Sequence, residues 1–138
     1  MSDADVAAAA PSDGLIARMG ITIVEVTADT AVGTMPVAGN TQPYGLLHGG
    51  ASAVLAESLG SLAAMAHVAT VDPEGIAVGV DLSITHVRSA RSGVVTGTAT
   101  AIHRGRTVAV YGVRIVNERG EIVSEARLTC AIRARRAT

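Results

Sequence analysis

The sequence predicts an α+β domain in which a continuous antiparallel sheet packs on one long helix. Three observations carry that expectation. The run from about Gly50 to about Thr70 consists almost wholly of small and aliphatic residues, includes a single acid, Glu57, and is stopped by Asp72-Pro73-Glu74-Gly75. Two runs rich in β-branched residues precede it and four follow, each bounded by turn residues. No repeat, linker or composition shift divides the 138 residues, so one domain with its own core is expected.

In chain order, residues 1–11 carry acids where a secretory signal needs Lys or Arg, and they read as a disordered leader ahead of a domain at 12–138. Ser12 to Gly20 has a capping residue, a short apolar stripe and a terminal glycine, which predicts a brief helix. Ile21–Ala28 and Ala31–Val37 predict two strands around a tight turn at Asp29-Thr30. Asn40, Pro43 and Gly45 then break regular structure before the long helix, which should run roughly 30 Å at 1.5 Å per residue. A helix apolar on every side is a buried one, so the rest of the chain is expected to cover all of it.

After the helix, Ile76, Val78, Val80, Leu82 and Ile84 alternate with smaller or polar residues and predict one strongly apolar strand face. Val94–Ile102 and Thr107–Val116 follow, and Asn117-Glu118-Arg119-Gly120 is a hairpin turn into the alternating run from Ile122 to Ile132.

Composition narrows the function classes. With no Trp, no Phe and two Tyr, the core must be filled by aliphatic residues of smaller area, a shortage that oligomerisation would relieve. A net charge of -1 gives no electrostatic reason to expect nucleic acid or an anionic membrane, and no stretch holds about 18 uninterrupted apolar residues. The single cysteine, Cys130, rules out an internal disulfide, suits a reducing cytoplasm and reads as a small buried hydrophobe. His48, His67, His86 and His103 lack metal-ligand spacing, so neither a metal nor a resident cofactor is expected.

Glu57 is the feature that needs explaining. An ionised carboxylate on so apolar a helix requires a partner, an exposed position or a task. At the start of the same helix, Gly49 and Gly50 bring free backbone N–H groups and a partial positive charge with no side chain in the way. A developing oxyanion would be stabilised there.

The segment Gln42-Pro43-Tyr44-Gly45-Leu46-Leu47-His48-Gly49-Gly50, then Glu57-Ser58, Thr85-His86-Val87-Arg88 and His103-Arg104-Gly105-Arg106-Thr107, resembles the hotdog-fold acyl-CoA thioesterases. The likeness spans about residues 14 to 134 and is strongest to the group that holds the phenylacetate-degradation, Arthrobacter-type 4-hydroxybenzoyl-CoA and dihydroxynaphthoyl-CoA thioesterases. It implies a curved sheet wrapped around a central helix, dimers joined edge to edge and often paired into tetramers, and hydrolysis of an aromatic or medium-chain acyl-CoA.

The resemblance also implies roles. Gly49 N–H becomes the oxyanion donor, with Gly50 beside it, and Gln42 orients or polarises the thioester. Glu57 becomes general base or nucleophile, and Ser61, one turn later, holds water or the carboxylate. His48 fits a positioning role at the helix entry as well as a catalytic one. Glu57 lies eight residues beyond Gly49, about 12 Å along the axis, so both cannot touch one carbonyl within a protomer and the site must be shared between subunits. For coenzyme A, which enters only as part of the substrate, Arg106 with Thr107 is the best-placed candidate, beside Arg88, Arg91, Arg104 and the tail arginines Arg133, Arg135 and Arg136. Two other readings stay open: a hotdog dehydratase or hydratase of hydroxyacyl thioesters, and a non-catalytic acyl-CoA-binding module.

Overall fold

The computed structural model describes residues 13–133, so the leader expected at 1–11, the capping residue Ser12, and Arg135 and Arg136 lie outside the described residues. Within them the elements are a one-turn helix α1 (Leu15–Arg18), strands β1 (Thr22–Val26) and β2 (Thr30–Pro36), the long helix α2 (Gly49–Val71), and strands β3 (Ile76–His86), β4 (Val94–Arg104), β5 (Val108–Val116) and β6 (Ile122–Arg133). The six strands form one antiparallel sheet in the order β1-β2-β4-β5-β6-β3, and every strand packs against α2. This is the hotdog arrangement, with α2 as the filling.

The expected turns fall where their residues can make them. Thr27 Oγ1 accepts from the N–H groups of Asp29 and Thr30 and closes the β1–β2 turn. Asn117 Oδ1 accepts from Arg119 and Glu121 N–H in the β5–β6 hairpin. Tyr111, whose hydroxyl donates to Ala28 O, is the aromatic residue of the core among the described residues, and Leu55, Leu59, Met35, Val95, Ile115, Leu128 and Cys130 are all fully buried. For α1, the cap is Gly14, with no side-chain hydrogen bond at that end.

Two expectations are corrected. The chain does not cover all of α2: Leu55, Ala56, Leu59, Leu62, Ala63 and Ala66 are buried, whereas Ala53, Val54, Ser61 and Met65 are only partly covered and Gly50 and Glu57 are exposed. These residues recur at helical spacing and form one open stripe. The helix is long and apolar enough to match a membrane span by length and composition, yet half of its apolar window is buried beneath the sheet, as befits a core helix.

The second correction concerns β3. Its alternation does not present one face, because the pairing with β6 shifts register between Gly79 and Asp81. A bulge reverses which residues point inward. Leu82 and Ile84 therefore face the core, while Ile76, Val78 and Val80 stand 53%, 47% and 61% exposed. β3 is also an edge strand, bonded only to β6, so an apolar row and unpaired backbone groups share one edge.

Candidate active site

The loop before α2 is built to aim the helix N-terminus. Asn40 Nδ2 donates to the carbonyls of Met19 and Pro36, Asn40 O accepts from His48 N–H at 2.8 Å, and Gly45 makes the loop's left-handed turn at φ +81°. His48 is the N-cap: its Nδ1 accepts from Gly50 N–H at 2.8 Å. That is a positioning role, and it occupies both the ring nitrogen and the Gly50 donor. Gly49 N–H keeps no acceptor among the described residues and is the free donor at the positive end of the helix.

Gln42 is fixed beside it. Its Oε1 accepts from Tyr44 and Leu46 N–H, and its own backbone N–H donates to Leu46 O at 2.8 Å. With the oxygen engaged, the amide NH2 is the half of the side chain left to reach outward. A cavity of about 340 Å³ gathers Gln42, Gly49, Ser52, His86 and Arg88. His86, at the end of β3, is held by Ser124 of β6, Nδ1 to Oγ at 2.8 Å, and its Nε2 lies 2.7 Å from where a Cβ on Gly49 would stand. Ser124 is fully buried.

Glu57 does not line this cavity. It sits on the open stripe of α2 with its carboxylate against Gly79, where a Cβ would come 3.2 Å from Oε1. Among the described residues it has no ion-pair partner. Beneath it lies Cys130, whose thiol is pushed up to about 11, first by burial and then by the Glu57 carboxylate, with a hydrogen bond to Ser61 partly opposing the rise. So Glu57, Ser61, Gly79 and Cys130 form one cluster and Gln42, Gly49 and His86 another, as the helical spacing required.

The arginines lie at two levels of the fold. Arg88 reaches the cavity rim, where its NH1 donates to Ile122 O and its Nε lies 3.6 Å from Glu121. Arg104 is committed to Asp29 at 2.8 Å and to His67 Nδ1 at 3.2 Å. Arg106 and Thr107 lie in the β4–β5 turn, whose Gly105 O bonds His67 near the far end of α2. Eighteen helical residues, roughly 27 Å, separate that level from Gly49, so Arg106 and Thr107 do not join the Gln42 cavity within one protomer. A second cavity, of about 490 Å³, does adjoin it, sharing Arg88, Ser89 and Ala90 and adding Arg91 and Arg119. Arg119, Ser52 and Ser124 went unread in the sequence. Each looks like an ordinary turn, helix or strand residue until the fold brings it to a cavity or to His86.

Comparison with known proteins decides the family. The profile of the thioesterase superfamily matches residues 44–124, more than half of the chain, from the loop before α2 into β6. The chain belongs to the thioesterase superfamily. This thioesterase is 42% identical over 119 residues to a 1,4-dihydroxy-2-naphthoyl-CoA hydrolase of Escherichia coli, covering 86% of this chain and 85% of that one. It is 39% identical over 119 residues to the proofreading thioesterase EntH of Cronobacter sakazakii, covering 86% and 85%. Among solved structures, a mutant thioesterase from Pseudomonas aeruginosa superposes with a TM-score of 0.87 at 37% identity, covering 96% and 94%. Enzyme class and hotdog fold therefore stand together, and thioester hydrolysis is the chemistry to be read from the two clusters.

Proposed function

We propose that this thioesterase hydrolyses aromatic or medium-chain acyl-CoA thioesters in a site shared by two copies of the chain. The observation that carries the reading is the separation itself. A Gly49 N–H with no acceptor among the described residues, and the Gln42 amide beside it, form one half; Glu57, without an ion-pair partner among the described residues, forms the other on the uncovered stripe of the same helix. A two-fold contact between antiparallel α2 helices, with its axis beside Ala53 midway between positions 49 and 57, sets each Glu57 against the partner's Gly49. The exposed apolar row on the β3 edge gives the same two copies a sheet edge to join.

In that site the thioester oxygen accepts from Gly49 N–H and the Gln42 amide, which stabilise the negative charge as the carbonyl carbon becomes tetrahedral. Glu57 from the other copy takes a proton from the attacking water, and collapse expels the coenzyme A thiolate. The alternative is direct attack by the Glu57 carboxylate to give a mixed anhydride, which water then cleaves. Single turnover in 18O-water separates the two, since only direct attack leaves label in Glu57. The phosphates of coenzyme A are assigned to the neighbouring cavity with Arg88, Arg91 and Arg119. Arg91→Ala should raise KM for an acyl-CoA and leave KM for the matching acyl-pantetheine unchanged.

The direct test is a panel of benzoyl-, phenylacetyl-, naphthoyl- and straight-chain acyl-CoAs with a free-thiol readout. Cleavage of at least one class, abolished in Glu57→Ala, supports the reading. No cleavage, or a Glu57→Ala variant as fast as the parent, overturns it.

A further inference from the structure

We propose that His86 is an additional catalytic donor to the thioester oxygen, held as the Nε2–H tautomer by the buried hydroxyl of Ser124. This rests on the reading of Gly49 N–H as the oxyanion donor and extends it by one side chain.

Burial and hydrogen-bond accounting fix the tautomer. Ser124 is fully buried, and His86 Nδ1 at 2.8 Å is its side chain's hydrogen-bond partner among the described residues. If Nδ1 carried the proton, the serine would accept and its own buried O–H would be left without an acceptor, at a cost of about 1–3 kcal/mol. If Ser124 donates to Nδ1, both groups are satisfied, and the ring proton resides on Nε2. The side of His86 that faces the cavity then carries an N–H donor.

Geometry says what that donor serves. Nε2 lies 2.7 Å from the position a Cβ would take on Gly49. A Cβ stands about 2.5 Å from its own backbone nitrogen, so Nε2 and Gly49 N are no more than about 5 Å apart. One oxygen can accept from both at ordinary lengths near 2.9 Å. Both groups line the Gln42 cavity, and no other histidine does. The same contact gives position 49 a reason to be glycine beyond substrate approach, because any side chain there would displace the imidazole.

The test uses isosteric replacements. Glutamine places an N–H near the Nε2 position, whereas asparagine reaches only as far as Nδ1. His86→Asn and His86→Ala should each lower kcat about 100-fold with KM within about threefold, and His86→Gln should stay within about tenfold of the parent. Nitrogen NMR of the parent's histidine rings should show His86 protonated at Nε2 alone, shifting toward a tautomer mixture in Ser124→Ala. Equal losses in Gln, Asn and Ala, parent-level kcat in His86→Asn, or a parent ring protonated at Nδ1 would each overturn the inference. Glu57→Ala run alongside separates the failures. If it is inactive while His86→Asn keeps the parent rate, only the role of His86 is wrong; if it is active, the site itself is wrong and the inference goes with it.

Discussion

Adding one methyl group at Gly49 perturbs the oxyanion site while sparing the fold. The backbone there is helical, so alanine fits its conformation and even gains up to about 1 kcal/mol in helix propensity. The new Cβ, however, would stand 2.7 Å from His86 Nε2 and 3.2 Å from its Cδ2, whereas ordinary contact begins near 3.4 Å. The ring must retreat by about 0.7 Å, away from the oxygen it serves and against its 2.8 Å bond to Ser124. Losing one oxyanion donor costs about 100- to 1,000-fold in kcat, and losing the Ser124 bond costs about 1 kcal/mol in stability, which the propensity gain roughly cancels. Gly49→Ala should therefore melt within a few degrees of the parent and release thiol at least 100 times more slowly at saturating substrate. A variant with parent kcat would refute the reasoning, because the methyl group would then have displaced nothing that matters to the reaction.

Other outcomes follow from the same packing. Burial, chiefly, pushes Cys130 from 9.0 to about 11 and Tyr111 from 10.0 to about 12, so the unfolded chain ionises first. Stability is then full below pH 9 and is lost as pH rises toward 12, by on the order of 5 kcal/mol for the two groups together, and Cys130→Ala should flatten part of that slope in urea unfolding. Val78→Asp with Val80→Lys, placed on the exposed row of β3, should shift the protein toward monomer in light scattering while far-UV circular dichroism is unchanged. Ala53→Trp, beside the proposed two-fold axis, should abolish thiol release and weaken association together. Association that survives either set of changes would place the interface elsewhere.

Much of this was legible in the chain because local rules and tertiary packing agree. The glycine-led entry and Pro73 bound α2 in the sequence nearly as they do in the structure, and Asn117 and Gly120 announce their hairpin. The twelve-ångström gap between Gly49 and Glu57 needed only helix geometry. What stayed hidden depends on pairing. The β3 bulge at Gly79 shows only in the register with β6, and the Glu57 carboxylate beside Gly79 only in the folded chain, so neither appears in an alternation count. The open stripe on α2 escaped notice because an apolar helix face looks the same whether its cover comes from its own chain or from another. His86 meets Ser124 and Gly49 only once the β3–β6 register sets 86 opposite 124 and the sheet closes on the helix start.

The central claim is that each site takes Gln42 and Gly49 from one copy and Glu57 from another. Glu57→Ala and Gln42→Ala proteins, each inactive or nearly so alone, should be mixed under conditions where isotope-labelled subunits are seen to exchange. A heterodimer then holds one site with both defects and one with none, so activity should rise toward half that of the parent per heterodimer. Proven exchange with no recovery of thiol release would contradict a site shared between subunits.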